Sequence, residues 1–325
     1  MTKRPARLLG ALALVAVLSA CSGTGSPTPE PSGFAAPRPL GVQDPAKVDT
    51  GAAGPAQNCG NVRASLRPTG SLPAPGQLPA GSTMAKIQAT GLLRVGVDQN
   101  TYLFGYRNPA TGNLEGVDVD VATEVAMAIF GDASKVQFVA ISSADRIPYI
   151  QQGKVDIVAH TMTINCERRQ QVSFSSVYYE AGQTVLVNDN STAKGMADLG
   201  GKKVCAAAGS TSIQNIAAHP AKPIPVSVSD WTDCLVLLQQ GQVDAISTDD
   251  TILAGMAAQD PSVKIVGPKF TEEPYGLAIS KNSPDLVRFV NGVLERIRSN
   301  GRLQAIYTTH LAGNAPPVPS AVYQD

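Results

Sequence analysis

Two six-residue stretches, Gln152-Gly153-Lys154-Val155-Asp156-Ile157 and Gln240-Gly241-Gln242-Val243-Asp244-Ala245, share the pattern Gln-Gly-x-Val-Asp-apolar. In each, the glycine stops a helical stretch and the residues after it open a strand. The surroundings alternate in the same way. Short apolar runs at 93–97, 136–140 and 155–158 read as strands, and stretches with apolar residues at helical spacing, 118–130 and 144–152, lie between them. A similar order recurs at 203–206, 211–218, around Val226, at 231–240 and at 243–246. Strands that alternate with helices build α/β domains. A chain of 325 residues, 43% of them hydrophobic, is long enough for two. Two unrelated αβ turns would give the same repeat, but with the length it favours two α/β lobes facing each other across a cleft.

The ends of the chain have a different character. Lys3, Arg4 and Arg7 precede an apolar stretch from Leu8 to Leu18 that ends in Leu18-Ser19-Ala20-Cys21. This reads as a secretory signal peptide over 1–20, because the apolar run is far shorter than the roughly 20 residues of a spanning helix. Its end resembles the bacterial lipobox, whose cysteine is lipidated and becomes the mature N-terminus. Cys21 is then the lipidation site, and the chain is expected on the extracytoplasmic face of the cell membrane, held by several acyl chains. Residues 21–82, crowded with Pro, Gly, Ser and Ala, read as a tether, and the Pro-rich residues 315–325 as a trailing tail.

Lys plus Arg and Asp plus Glu balance at 26 each, so no basic field exists to hold nucleic acid. With Cys21 set aside, Cys59, Cys166, Cys205 and Cys234 remain in an exported chain, and two disulfides are expected. Four cysteines allow three pairings, and spacing does not choose among them. Cys205 and Cys234 share a later segment, which leaves Cys59 for Cys166, and this is the expected pairing. There is no CxxC pair and there are three histidines, His160, His219 and His310, so no metal and no cofactor is expected.

More specific signals lie between residues 91 and 311. They include Gly116-Val117-Asp118-Val119-Asp120, Arg146-Ile147-Pro148, Thr161-Met162-Thr163-Ile164-Asn165-Cys166-Glu167-Arg168 and Phe174-Ser175. Tyr178-Tyr179, Gly182-Gln183, Gly209-Ser210-Thr211-Ser212, Thr248-Asp249-Asp250 and Pro274-Tyr275-Gly276 follow. In this order the set resembles the extracytoplasmic solute-binding proteins of family 3, the polar amino acid binders of the glutamine and glutamate type. The resemblance implies a periplasmic-binding-protein type II fold, in which two α/β lobes are joined by a two-stranded hinge with the ligand cleft between them. Lobe 1 is then expected over 83–182 and 273–314, and lobe 2 over 183–272.

An amino acid carries a carboxylate and an ammonium on one carbon, so its pocket needs a fixed cation and a fixed anion. Arg168 is the expected cation, because a guanidinium grips a carboxylate with two parallel bonds. The resemblance gives Thr161 and Thr163 the task of completing that site, and Asp249 the ligand ammonium. Asp250 is the alternative, as a cap of the helix that follows. Ser210 and Thr211, between a strand and a helix, can receive an anion or simply cap. Arg146 matches the arginine that reaches a side-chain carboxylate in glutamate and aspartate binders, which favours an acidic ligand over solvent exposure for this residue. Asp98 completes the expected contacts, with Tyr102 or Phe104 as the aromatic over the ligand; Phe104 fits the core equally well. Arg169 is expected in solvent, His160 and Trp231 in packing, and Glu180 near the lobe crossover.

The implied activity is capture of a polar amino acid (glutamate, aspartate or their amides) by hinge closure, and delivery to an ABC permease by a monomeric protein. The same ligand presented to a membrane receptor, as a nutrient sensor, is the alternative. An enzyme acting on small carboxylates would need a general acid or base beside the ligand, and the chain shows no Ser-His-Asp set or phosphate loop. It is therefore read as a binding protein.

Overall fold

The computed structural model describes residues 36–48, 59–311 and 315–324. The leader and Cys21 lie outside the described residues. The folded unit runs from Arg38 to Asp325, and none of its described helices is long and apolar enough to cross a membrane.

Two five-stranded sheets organise this unit. The first has the order Val136–Ala140, Leu93–Val97, Ile157–Val158, Ala278–Ile279, Ser173–Phe174. Its first three strands are parallel, and Ala278–Ile279 runs against both of its neighbours. Parallel neighbours need long crossovers, and the helices Val117–Phe130 and Arg146–Gln151 supply them. The second sheet has the order Ile224–Val228, Lys203–Ala207, Ala245–Asp249, Gln183–Asn188, Val263–Val266. Here the first three strands are again parallel and Gln183–Asn188 is antiparallel to both neighbours. Each sheet has its own apolar core, and the helices Pro284–Ser299 and Arg302–His310 complete the first one.

The sequence repeat marks the same place in both lobes. Asp156 Oδ2 accepts the Arg94 amide at 2.9 Å while its own amide donates to the Arg94 carbonyl at 2.9 Å. Asp244 does the same to Lys203, at 2.8 and 2.9 Å. Each aspartate thus pins the start of a central strand, just after a helix stopped by a glycine in the left-handed region, at φ 64° for Gly153 and 67° for Gly241.

Two strands, Tyr179–Ala181 and Glu273–Tyr275, pair antiparallel and carry the chain out of the first lobe and back. This is the two-stranded hinge. Both disulfides are the expected ones, Cys59 with Cys166 and Cys205 with Cys234, with Cα atoms 5.7 and 5.6 Å apart.

Three segments differ from the sequence reading. Residues 161–168, which lie outside every helix and strand read from the sequence, run into a short helix, Cys166–Gln171, because the Asn165 side chain caps it by accepting the Arg168 amide at 2.9 Å. In the segment read as a tether, Gln43 bridges to Ser227 at the edge of the second sheet, and Ala64–Leu66 is a strand. That strand pairs in parallel with Val322–Gln324, in the stretch read as a trailing tail. These contacts are mostly hydrogen bonds to backbone, such as Asn291 Nδ2 to the Leu66 carbonyl at 2.7 Å, and they leave no apolar periodicity to read.

Candidate functional site

The expected site residues come from loops at strand ends and helix starts on the facing edges of the two lobes, where open α/β sheets gather ligands. From the first lobe, Arg168 sits on the Cys166–Gln171 helix with 6% of its surface exposed, and its Nη1 donates to the Thr163 carbonyl at 2.8 Å. Arg146 begins the Arg146–Gln151 helix and is 3% exposed, which excludes the solvent-facing alternative. Its guanidinium donates to the carbonyls of Ser143 at 2.9 Å and His160 at 3.1 Å. From the second lobe comes the Gly209 carbonyl, which receives Nη2 of both Arg146 and Arg168 at 3.3 Å each. Two guanidiniums of one lobe thus converge on one oxygen of the other.

Two like charges held this closely oppose one another. Burial, with the Arg168 charge behind it, lowers Arg146 to about 9, so it remains charged at neutral pH. Arg168 is lowered by burial as well, with Glu273 and Asp249 opposing the shift.

Asp249 ends the strand Ala245–Asp249, and is 3% exposed. Its Oδ2 accepts the Tyr275 hydroxyl at 2.6 Å, and Tyr275 belongs to the second hinge strand. Its Oδ1 is buried with no hydrogen-bond partner among the described residues. Burial, reinforced by the Glu273 charge, pushes the Asp249 carboxyl up to about 8, against the Tyr275 bond and Arg168. A buried acceptor left unpaired costs about 1–3 kcal/mol, and a cationic N–H donor is the chemistry that would satisfy it. Asp250, the other candidate, points elsewhere: its Oδ1 accepts the Gly182 amide at 3.0 Å and its Oδ2 the Lys269 ammonium at 2.9 Å.

The hydroxyls of Thr163, Thr211 and Ser210 are already engaged. Thr163 Oγ1 donates to Glu273 Oε2 at 2.6 Å, and Thr211 Oγ1 donates to the same oxygen at 3.0 Å. Ser210 Oγ donates to the Ala207 carbonyl at 2.7 Å and caps the Thr211–Ala218 helix by accepting the Ile213 amide at 3.1 Å. Thr161 is held by its backbone, with φ at 40° and its amide donated to Asp118 Oδ2 at 2.8 Å. This left-handed turn in a β-branched residue is strained. It directs the loop 161–168 toward the other lobe, and Asp118, fully buried and also bonded to the Tyr178 hydroxyl, holds it there. Burial raises Asp118 to about 7, against those two bonds.

The remaining candidates do not join this group directly. Asp98 turns into its own loop, its Oδ1 accepting the amides of Gln99 and Asn100 and its Oδ2 the Thr101 hydroxyl. Phe104 is fully buried, edge-on to Tyr179 and Tyr275 with ring centroids 5.0 and 6.0 Å away. Tyr102 is 36% exposed and stands edge-on to Tyr106. His160 is buried beside Asp98, with Nε2 on the Ile141 carbonyl at 3.0 Å, and burial lowers its pKa. Trp231 packs in the core of the second lobe. Arg169 departs from the solvated role read for it: it is half-buried and donates to the carbonyls of Val62 and Ala64.

The sequence reading gave no part to Glu273, which bridges threonines of both lobes, or to Tyr275, which braces Asp249. Their one signal was position, immediately before and within Pro274-Tyr275-Gly276. The paired cations, the braced anion and a hinge between two lobes amount to a cleft suited to a small zwitterion.

Residues 93–313 match the sequence profile of the bacterial extracellular solute-binding proteins, family 3. The chain is 41% identical over 226 residues to the ABC transporter glutamine-binding protein GlnH of Bacillus subtilis (strain 168), covering 69% of this chain and 83% of that one. It is 39% identical over 203 residues to the glutamine-binding protein of Geobacillus stearothermophilus, covering 62% and 78%. Among solved structures, an ancestral arginine-binding protein bound to glutamine matches with a TM-score of 0.63 at 36% identity, covering 68% of this chain and 97% of that one. The chain therefore belongs to the bacterial extracellular solute-binding proteins, family 3.

Proposed function

We propose that this protein captures glutamate, aspartate or their amides by closing its two lobes over the ligand. It is lipidated at Cys21, stays on the outer face of the cell membrane, and delivers the amino acid to an ABC permease. In this reading Arg168 holds the α-carboxylate, Asp249 holds the ammonium through Oδ1, and Arg146 meets a side-chain carboxylate. The observation that carries it is the convergence of Arg146 and Arg168 on Gly209 in a site that also contains an aspartate with an unpaired buried oxygen. Two cations and one anion complement a ligand with two carboxylates and one ammonium, and burial strengthens each pairing. The glutamine-binding relatives support the ligand class, and the fold supports hinge closure as the mechanism. The relatives, all solute-binding proteins, support binding without chemistry on the ligand.

Isothermal calorimetry with glutamate, aspartate, glutamine and asparagine tests this directly. Binding of at least one, with an acidic ligand preferred, is expected. No heat with any of the four would refute the reading.

A further inference from the structure

Residues 59–66 precede the family match, which begins at residue 93, yet they touch both the gripping helix and the hinge. Cys59 is joined to Cys166, the first residue of the helix that carries Arg168. Arg169, the next residue along that helix, donates Nη1 to the Val62 carbonyl at 2.9 Å and the Ala64 carbonyl at 2.5 Å. From between those two carbonyls Arg63 reaches the hinge. Its Nε and Nη2 donate to Glu180 Oε1 and Oε2 at 3.1 and 3.0 Å, and Nη2 also donates to Glu272 Oε2 at 3.1 Å. Glu180 lies in the first hinge strand, and Glu272 immediately precedes the second. The far end of the segment is fixed to the first lobe, where Ser65 Oγ donates to the Phe174 carbonyl at 2.7 Å.

We propose that residues 59–66 form a brace that couples the arginine-bearing helix to the hinge and biases the lobes toward their closed arrangement. Arg63, Arg169 and Cys59 are then positioning residues for ligand binding. The proposal rests on the ligand role given to Arg168 above. A planar guanidinium bound bidentately to Glu180 has a fixed direction as well as a fixed distance. Its third bond, to Glu272, therefore requires the two crossings to keep one spacing. Hinges open by changing the backbone angles of a few residues in such crossings, so tying both to a third, immobile point restricts that motion. The arrangement tied in this way is one in which the lobes meet, with Gly209 on both arginines and Glu273 between Thr163 and Thr211. Any twist that separates Glu180 from Glu272 gives up a bond. The same segment supports Arg168 from two sides, through the disulfide before it and Arg169 after it.

The test compares the whole chain with Arg63→Ala, Arg63→Lys, Arg169→Ala and the pair Arg63→Ala with Glu180→Gln. Glutamate and glutamine affinities are measured by calorimetry, and the shape of the ligand-free protein by small-angle X-ray scattering. Arg63→Ala is expected to weaken binding about twofold to fivefold, the upper part of the range for an ion pair of this exposure, mainly through faster dissociation. It should also enlarge the ligand-free radius of gyration. Lysine, which keeps the charge without the fork, should restore only part of the affinity, and Glu180→Gln should add nothing to Arg63→Ala. A fall in melting temperature with affinity and radius unchanged in both Arg63→Ala and Arg169→Ala would overturn the brace and leave an ordinary stabilising contact. Should the unaltered chain bind no amino acid, the ligand reading fails, and the scattering comparison decides the brace alone.

Discussion

Gly209 gives the sharpest test of lobe closure. A methyl group added there would stand 2.7 Å from Ala144 Cα and 3.1 Å from both its Cβ and its amide nitrogen, across the cleft. Carbon atoms pack at about 3.5–4.0 Å, so Gly209→Ala forces the lobes apart by roughly 1 Å at this point. The 3.3 Å bonds from Arg146 and Arg168 to the Gly209 carbonyl would be stretched beyond hydrogen-bond length. Overpacking of this kind costs about 1–3 kcal/mol, which is about 5- to 150-fold in ligand affinity. The substitution also meets a backbone cost, because Gly209 has φ +73°, worth about 1–2 kcal/mol for an L residue. That second cost falls on open and closed forms alike and lowers thermal stability without touching affinity. Gly201, with φ +68° and nothing within 4 Å of an added Cβ, separates the two effects. Calorimetry with glutamate and glutamine should show weak binding for Gly209→Ala and normal binding for Gly201→Ala, while both melt earlier. Normal affinity in Gly209→Ala would mean that its approach to Ala144 has no part in holding ligand.

Arg168→Ala should abolish measurable binding yet leave a cooperative thermal transition, because it removes the expected carboxylate grip from a cleft edge rather than from either core; a normal ligand-induced thermal shift would contradict this. Arg146→Ala should lose glutamate and aspartate more than glutamine and asparagine in the same assay, and an equal loss would remove the basis for an acidic preference. For pH, Asp249 at about 8 and Asp118 at about 7 in the fold, against an ordinary 3.8, hold protons that the unfolded chain has released. Their contribution to stability is full below about pH 3.8 and is lost as pH rises through 7 and 8. Asp249→Asn should therefore flatten the decline in chemical-denaturation stability between about pH 4 and 8; an unchanged slope would count against a protonated Asp249. A ligand ammonium favours the ionised carboxylate, so binding near pH 7 should release most of a proton, seen as calorimetric heats that depend on the buffer.

Much of the fold was legible because periodicity and helix stops are local. The strands 93–97 and 136–140 and the helix 211–218 fall where their residues alone place them, with the same bounds in the structure. The repeat around Asp156 and Asp244 was legible as a pattern, but its cause, a carboxylate pinning the neighbouring strand, depends on a partner 62 or 41 residues away. The site divides in the same way. Arg146, Arg168 and Asp249 could be picked out as charged residues at strand ends and helix starts in a recognisable order. Glu273 could not, since its meaning comes from Thr163 and Thr211, which only the closed tertiary arrangement brings to one oxygen. Phe104 shows why aromatic residues near such a loop are ambiguous: it sits seven residues after Val97, the end of a core strand, and packs edge-on against Tyr179 and Tyr275.

The order of strands in the two sheets sets the order in which the chain can finish folding. All five strands of the second sheet come from one uninterrupted run, 183–266, and can assemble as soon as that run has emerged. The first sheet cannot, because Ala278–Ile279 is inserted between Ile157–Val158 and Ser173–Phe174. As the chain emerges, the four earlier strands of that sheet must wait, with an unfilled slot in fourth place, until the last fifty or so residues arrive. A chain cut short between residues 266 and 278 would thus leave one lobe's sheet whole and the other without its keystone.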